Sequence, residues 1–77
     1  MKNFTLDFEV GFYFRDSVRD ILIMMKEAVE DAGGEMKIQE FQEELESRFV
    51  VIGYGEPYEL KKIMDWTTDW GGEVAEL

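Results

Sequence analysis

Phe4-Thr5-Leu6-Asp7-Phe8-Glu9-Val10 alternates apolar with polar residues, and Val18, Ile21, Leu22, Met25, Ala28, Val29 and Ala32 follow it at helical spacing. The first run has the period of two that marks a half-buried strand, with its phenylalanines on the core side. The alternation continues through Phe12 and Phe14, which extends the expected strand to that point. Gly11 interrupts it, as a bulge or a close backbone approach would. The second set recurs at i, i+3, i+4 and i+7, the stripe of a helix lying on a core. Asp16 or Ser17 is the expected N-cap, and Asp20 three residues beyond Ser17 completes the pattern of a capping box. Gly33-Gly34 ends the helix, since glycine accepts the left-handed conformation found there. Ile23 and Met24 widen the apolar stripe, so this helix is expected to touch something on two sides.

Working outward from that βα unit, residues 35–43 and 48–54 read as the two strands of a hairpin. Glu35-Met36-Lys37-Ile38-Gln39 alternates; the apolar phase then slips at Phe41, as a bulge or an outward-facing aromatic would make it do. Phe49-Val50-Val51-Ile52 is a continuous apolar run, expected of a central strand covered on both faces. The link Glu43-Glu44-Leu45-Glu46-Ser47 has no glycine, which argues against a tight two-residue turn. Glu56-Pro57 opens a second helix, proline being suited to its first position. Leu60, Ile63, Met64 and Thr67 form the inner face of this helix, and Gly71-Gly72 stops it. Residues 73–77 read as a short last strand or a frayed tail.

The order is β-α-β-β-α with a possible final β, over one domain of residues 1–77. That is the split-βαβ, ferredoxin-like plan of the α+β class: an antiparallel sheet with two helices on one face. The spatial strand order it implies is 4-1-3-2.

Charge directs the functional reading. The chain has 18 Asp+Glu against 8 Lys+Arg, a net charge of −10 in 77 residues, with no His and no Cys. Self-repulsion of this size opposes the compact state, so the acid points to solubility or to a basic partner. Without His or Cys, the common general base, the thiol nucleophile and the usual transition-metal ligands are missing. No catalytic residue, metal or cofactor is assigned. The acidic balance disfavours direct contact with nucleic acid or an anionic membrane. No signal-peptide core and no membrane span is visible in the sequence, so a cytoplasmic protein is expected.

Acids also sit where a helix disfavours them. Glu30 and Asp31 occupy the last turn of the first helix, and Asp65 and Asp69 the end of the second, against the macrodipole. Residues 27–46 hold Glu27, Glu30, Asp31, Glu35, Glu40, Glu43, Glu44 and Glu46, with Lys37 the one base after Lys26. On strand and helix such acids stand about 6 Å apart, an interval at which carboxylates can imitate phosphates. If the helices cover the Phe4 side, the other face of the sheet shows Thr5, Asp7, Glu9 and Tyr13. The hairpin adds Lys37, Gln39 and Phe41, and either Phe49 with Val51 or Val50 with Ile52. The expected partner-binding residues are therefore Glu30, Asp31, Glu35, Glu40, Glu43, Glu44 and Glu46, together with Tyr13 and Phe41.

Val10-Gly11-Phe12-Tyr13-Phe14-Arg15 resembles the phosphate-cradling loop of acylphosphatases, a family with the same plan. The resemblance covers six residues. The family also uses an asparagine on a later strand, and the one Asn here is Asn3, so its chemistry is not carried over. Arg15 is expected to pair with Asp16, Asp20 or another nearby acid. In size, acidity and lack of cysteine the chain is similar to anti-CRISPR and other anti-defence proteins of phage and mobile elements. The expectation is a non-catalytic acidic inhibitor or adaptor, a nucleic-acid mimic that docks on a basic protein surface. The alternative is a homodimeric module joined through the open sheet face, structural or regulated by a small ligand.

Overall fold

The computed structural model describes residues 1–76; Leu77, the end of the expected last strand, lies outside the described residues. The elements are β1 (Lys2–Gly11), a one-turn 3-10 helix (Phe12–Phe14), α1 (Arg15–Asp31), β2 (Glu35–Gln42), β3 (Glu46–Gly55), α2 (Pro57–Asp69) and β4 (Glu73–Glu76). The sheet is antiparallel in the order β2-β3-β1-β4, the ferredoxin-like arrangement. Residues 73–76 thus form an edge strand, with Leu6 opposite Val74.

One face of the sheet is dry. Phe4, Leu6, Phe8 and Val10 of β1 meet Phe49 and Val51 of β3 and Met36 of β2 beneath the helices, which contribute Val18, Leu22, Val29, Leu60 and Ile63. Phe8 sits at the centre, with ring centroids 5.7 Å from both Phe49 and Trp66. Thr67, fully buried, returns its hydroxyl proton to the Ile63 carbonyl at 2.8 Å.

Several local expectations are corrected. β1 stops at Gly11, and Phe12, Tyr13 and Phe14 form the 3-10 turn with all three rings exposed. Their backbone leaves the sheet there, so strand alternation no longer assigns them a face. Gly11 is neither a bulge nor a close approach: its register opposite Glu46 is regular and a Cβ would meet nothing. α1 begins at Arg15, without a side-chain cap from Asp16 or Ser17, because the 3-10 turn runs directly into it. β3 is interior in the sheet but covered on one face only; Ile52 is 55% exposed on the other. Phe41 faces outward opposite Arg48, in a register with no bulge.

The hairpin link is tighter than expected. Strands β2 and β3 leave only residues 43–45 between them, and the Glu43 N–H donates to the Glu46 carbonyl at 2.8 Å. Among the described residues no non-glycine has a positive φ, so the turn is made without the backbone that a glycine would supply. The Leu45 carbonyl accepts the Phe12 N–H at 3.0 Å, which ties the turn to the end of β1. At the other end of α1 the glycine reading holds. Gly33 has φ +88°, and the Gly34 N–H closes on the Val29 carbonyl at 2.9 Å. Gly34 also lies against the Tyr54 carbonyl, leaving no room for a Cβ.

Candidate functional site

The topology gathers three connections at one end of the sheet: the Phe12–Phe14 turn, the residue 43–45 link, and the Gly71-Gly72 turn after α2. Tyr13 is 90% exposed and Leu45 78%, with Phe12 and Phe14 also open. The rings meet in two pairs, Phe12 against Tyr13 and Phe14 against Trp70, each at 5.7 Å between centroids. Trp70 lies 6.0 Å from Trp66, which packs on Phe8, so the Phe14–Trp70 pair rests on the core.

Arg15 braces this pole. Its Nη2 donates to the Glu43 carbonyl at 3.0 Å, and its guanidinium lies 5.0 Å from the Phe12 ring centroid, a cation–π contact. This corrects the expected pairing with Asp16 or Asp20. The first of those acids pairs instead with Arg19, at 2.9 Å.

The link beside the Phe12 turn carries Glu43 and Glu44 and runs into Glu46, which Glu9 from β1 joins. Repulsion from Glu9, with burial and the nearby Glu43 adding to it, pushes the Glu46 carboxyl above its ordinary range. Like charges held this close make the pole a site of negative potential. Among the described residues no set of three or more acids is placed to hold a metal ion.

The other expected site residues separate from this group. Glu30, Asp31 and Glu35 lie at the far end of α1, roughly 25 Å away along a 17-residue helix. Glu30 is taken by Lys26 at 3.0 Å. Glu40 is on the helix-facing side of β2 and only 14% exposed. Arg19 holds it at 2.6 Å, and the Ser47 hydroxyl donates to it at 3.2 Å. Those donors, Arg19 first, lower its carboxyl to about 2. The acids of residues 27–46 therefore do not form one row, because β2 turns alternate side chains to opposite faces and α1 carries its last turn to the opposite end.

Tyr13 and Phe41 also part. Phe41, 52% exposed, lies on the uncovered sheet face with Val50, Ile52 and Tyr54, while Tyr13 belongs to the pole. Of the two options for β3, Val50 with Ile52 is the outward pair. Asp7 and Arg48 cross this face in an ion pair, Nε to Oδ1 at 2.9 Å, and that hydrogen bond lowers the Asp7 carboxyl. Leu45, Phe12 and Phe14 were absent from the expected site. Three successive aromatics directly before a helix carried the signal, since a strand can bury at most alternate members of such a run.

No protein-family model matches the chain, and no curated protein matches it. Its fold is similar to that of a de novo designed protein, Ferredog-Diesel, with a TM-score of 0.60. The two are 21% identical over 97% of this chain and 83% of that one. The likeness concerns the fold. Among the described residues no helix is long and apolar enough to cross a membrane.

Proposed function

We propose that this chain is a non-catalytic acidic binding protein that docks on a basic protein surface through the aromatic pole. The observation that carries the reading is the hydrogen bond from the Phe12 N–H to the Leu45 carbonyl, 3.0 Å. It sets the exposed rings beside the hairpin acids. An apolar centre ringed by carboxylates has the anatomy of a protein interface: anchors give residence, charges steer approach and set specificity. A surface evolved to hold polyanionic nucleic acid offers the matching charge, and the chain would occlude it. The mimicry rests on this compact pole and not on an extended row of acids.

The test is capture of a partner from lysate at low salt, with three proteins as bait. The chain itself should retain it, and duplex DNA should displace it. Glu43→Lys with Glu44→Lys and Glu46→Lys should lose it, as should Tyr13→Ser with Leu45→Ser. A partner held equally by both variants would place the interface elsewhere.

The exposed Phe41 and Ile52 on the uncovered sheet face favour a second reading, a homodimer through the sheets. Sedimentation of a dimer that Ile52→Asp dissociates would support it.

A further inference from the structure

A second surface lies away from both the pole and the open sheet. The two helices leave a groove of about 290 Å³ between them, floored by Met25 and Ile63 and walled by Ile21, Met24 and Ala28 of α1 and by Glu59 and Lys62 of α2. Met24 is 68% exposed, and Ala28 is exposed beside it. The core does not need these residues outside; they extend the apolar stripe of α1 past the part that the sheet covers.

The flank of that stripe is acidic. Asp20, Glu27 and Asp31 stand at i−4, i+3 and i+7 from Met24, so all three share its side of the helix. All are exposed, and among the described residues no ion pair reaches them. On the opposite wall the one base is occupied: Lys62 Nζ is 3.8 Å from Glu59 Oε1 and 4.3 Å from the Tyr58 ring centroid.

We infer that the groove is a docking site for a basic amphipathic helix of a partner protein. The occupant follows from three features. The trough runs between two helices, so a third helix can lie in it with its apolar residues at i, i+3, i+4 and i+7 pointing down. Methionine lines it, and its flexible thioether adapts to varied side chains. The carboxylates along α1 then meet lysine or arginine on the flank of the incoming helix, while a second copy of this chain would bring like charge to the same place. The site stands independently of the pole, with which it shares no residue.

The experiment uses the whole chain and a fluorescein-labelled peptide of leucine and lysine patterned as an amphipathic helix of about five turns. Fluorescence anisotropy reads binding; a shuffled peptide of the same composition is the control. The patterned peptide should bind and the shuffled one at least about tenfold more weakly. Met24→Glu with Ala28→Glu should weaken binding about tenfold although it makes the chain more acidic. Asp20→Asn with Glu27→Gln and Asp31→Asn should weaken it about as much. Glu43→Gln with Glu44→Gln and Glu46→Gln removes the same charge from the pole and should leave it within about twofold. Equal binding of the two peptides, equal loss in the two neutralised variants, or tighter binding by the doubly Glu-substituted groove would overturn the proposal, since each means attraction by net charge alone. A dimer of the unliganded chain that Met24→Glu dissociates would overturn it in favour of a second copy.

Discussion

Arg19 and Glu40 stand 21 residues apart and close a two-pronged ion pair, Nε to Oε1 at 2.6 Å and Nη2 to Oε2 at 2.8 Å. Glu40 occupies an inward position of the edge strand β2, where an apolar residue would continue the core. Arg19 satisfies it from α1 and so fixes the helix over the sheet edge. Inward charge on an edge strand also hinders pairing with another chain's strand. Glu40→Gln should therefore lower the melting temperature by about 5–10 °C, because Arg19 loses the more buried of its two carboxylate partners and keeps only the exposed Asp16. Glu44→Gln removes the same charge from the exposed link and should not lower it. Thermal unfolding followed by circular dichroism separates the two. Equal shifts would mean that Glu40 acts through net charge alone.

Stability should pass through a maximum in mild acid. Glu40, lowered to about 2 chiefly by Arg19, and Asp7, lowered by Arg48, have depressed values. Each stabilises the fold above its ordinary range, and for Glu40 that contribution is lost as pH falls from 4.5 to about 2. Glu46 is opposite in sign. Its raised carboxyl means that its charge works against the fold at neutral pH, and protonation relieves that as pH falls. Melting temperature should rise as pH falls from 7 and turn down below 4.5, where the Glu40 contribution begins to be lost. Added salt at pH 7 should raise it, by screening the unpaired acids. A melting temperature that falls steadily from pH 7 would show that paired carboxylates dominate the charge balance.

Phe8 fills the centre of the core between Phe49 and Trp66. Phe8→Ala should cost about 3–5 kcal/mol, a large share of the stability of a domain this small. Thr5→Ala, on the uncovered face of the same strand, should cost under about 1 kcal/mol. Urea unfolding of the two variants tests the facing of β1 directly.

The fold was legible because its signals were periodic. Phe4 through Val10 alternated cleanly, α1 and α2 carried full apolar stripes, and Gly33-Gly34, Pro57 and Gly71-Gly72 marked the ends. What was not legible depended on which backbone bends where periodicity gives out. Phe12 and Phe14 keep the strand's alternation in sequence, but the 3-10 turn takes them out of the sheet. The residue 43–45 link turns tightly without glycine, on backbone of negative φ, and its Leu45 carbonyl is bonded to Phe12 from another element, a long-range contact that no local pattern contains. The candidate site was less legible still. Composition marked the acids but could not tell Glu40, bound by Arg19 and Ser47, from Glu43 and Glu44 in the exposed link. That distinction needs the pairing of β2 with β3 and the crossing of α1 above them.

The pole should contribute to binding and not to folding, and the two can be measured apart. Tyr13 meets Phe12 edge to face and is otherwise open to solvent, and Leu45 projects from a turn whose backbone hydrogen bonds do not use its side chain. Tyr13→Ser with Leu45→Ser should shift the melting temperature by no more than about 2 °C, as expected for exposed side chains. Against a captured partner the same variant should dissociate at least tenfold faster, since buried apolar anchors mainly set residence time, while reversal of Glu43, Glu44 and Glu46 to Lys should chiefly slow association, by about an order of magnitude at low salt. Surface plasmon resonance at two salt concentrations reads both rates. A loss of stability equal to the loss of binding would make Tyr13 and Leu45 structural residues. An association rate indifferent to both salt and charge reversal would remove the hairpin acids from the interface.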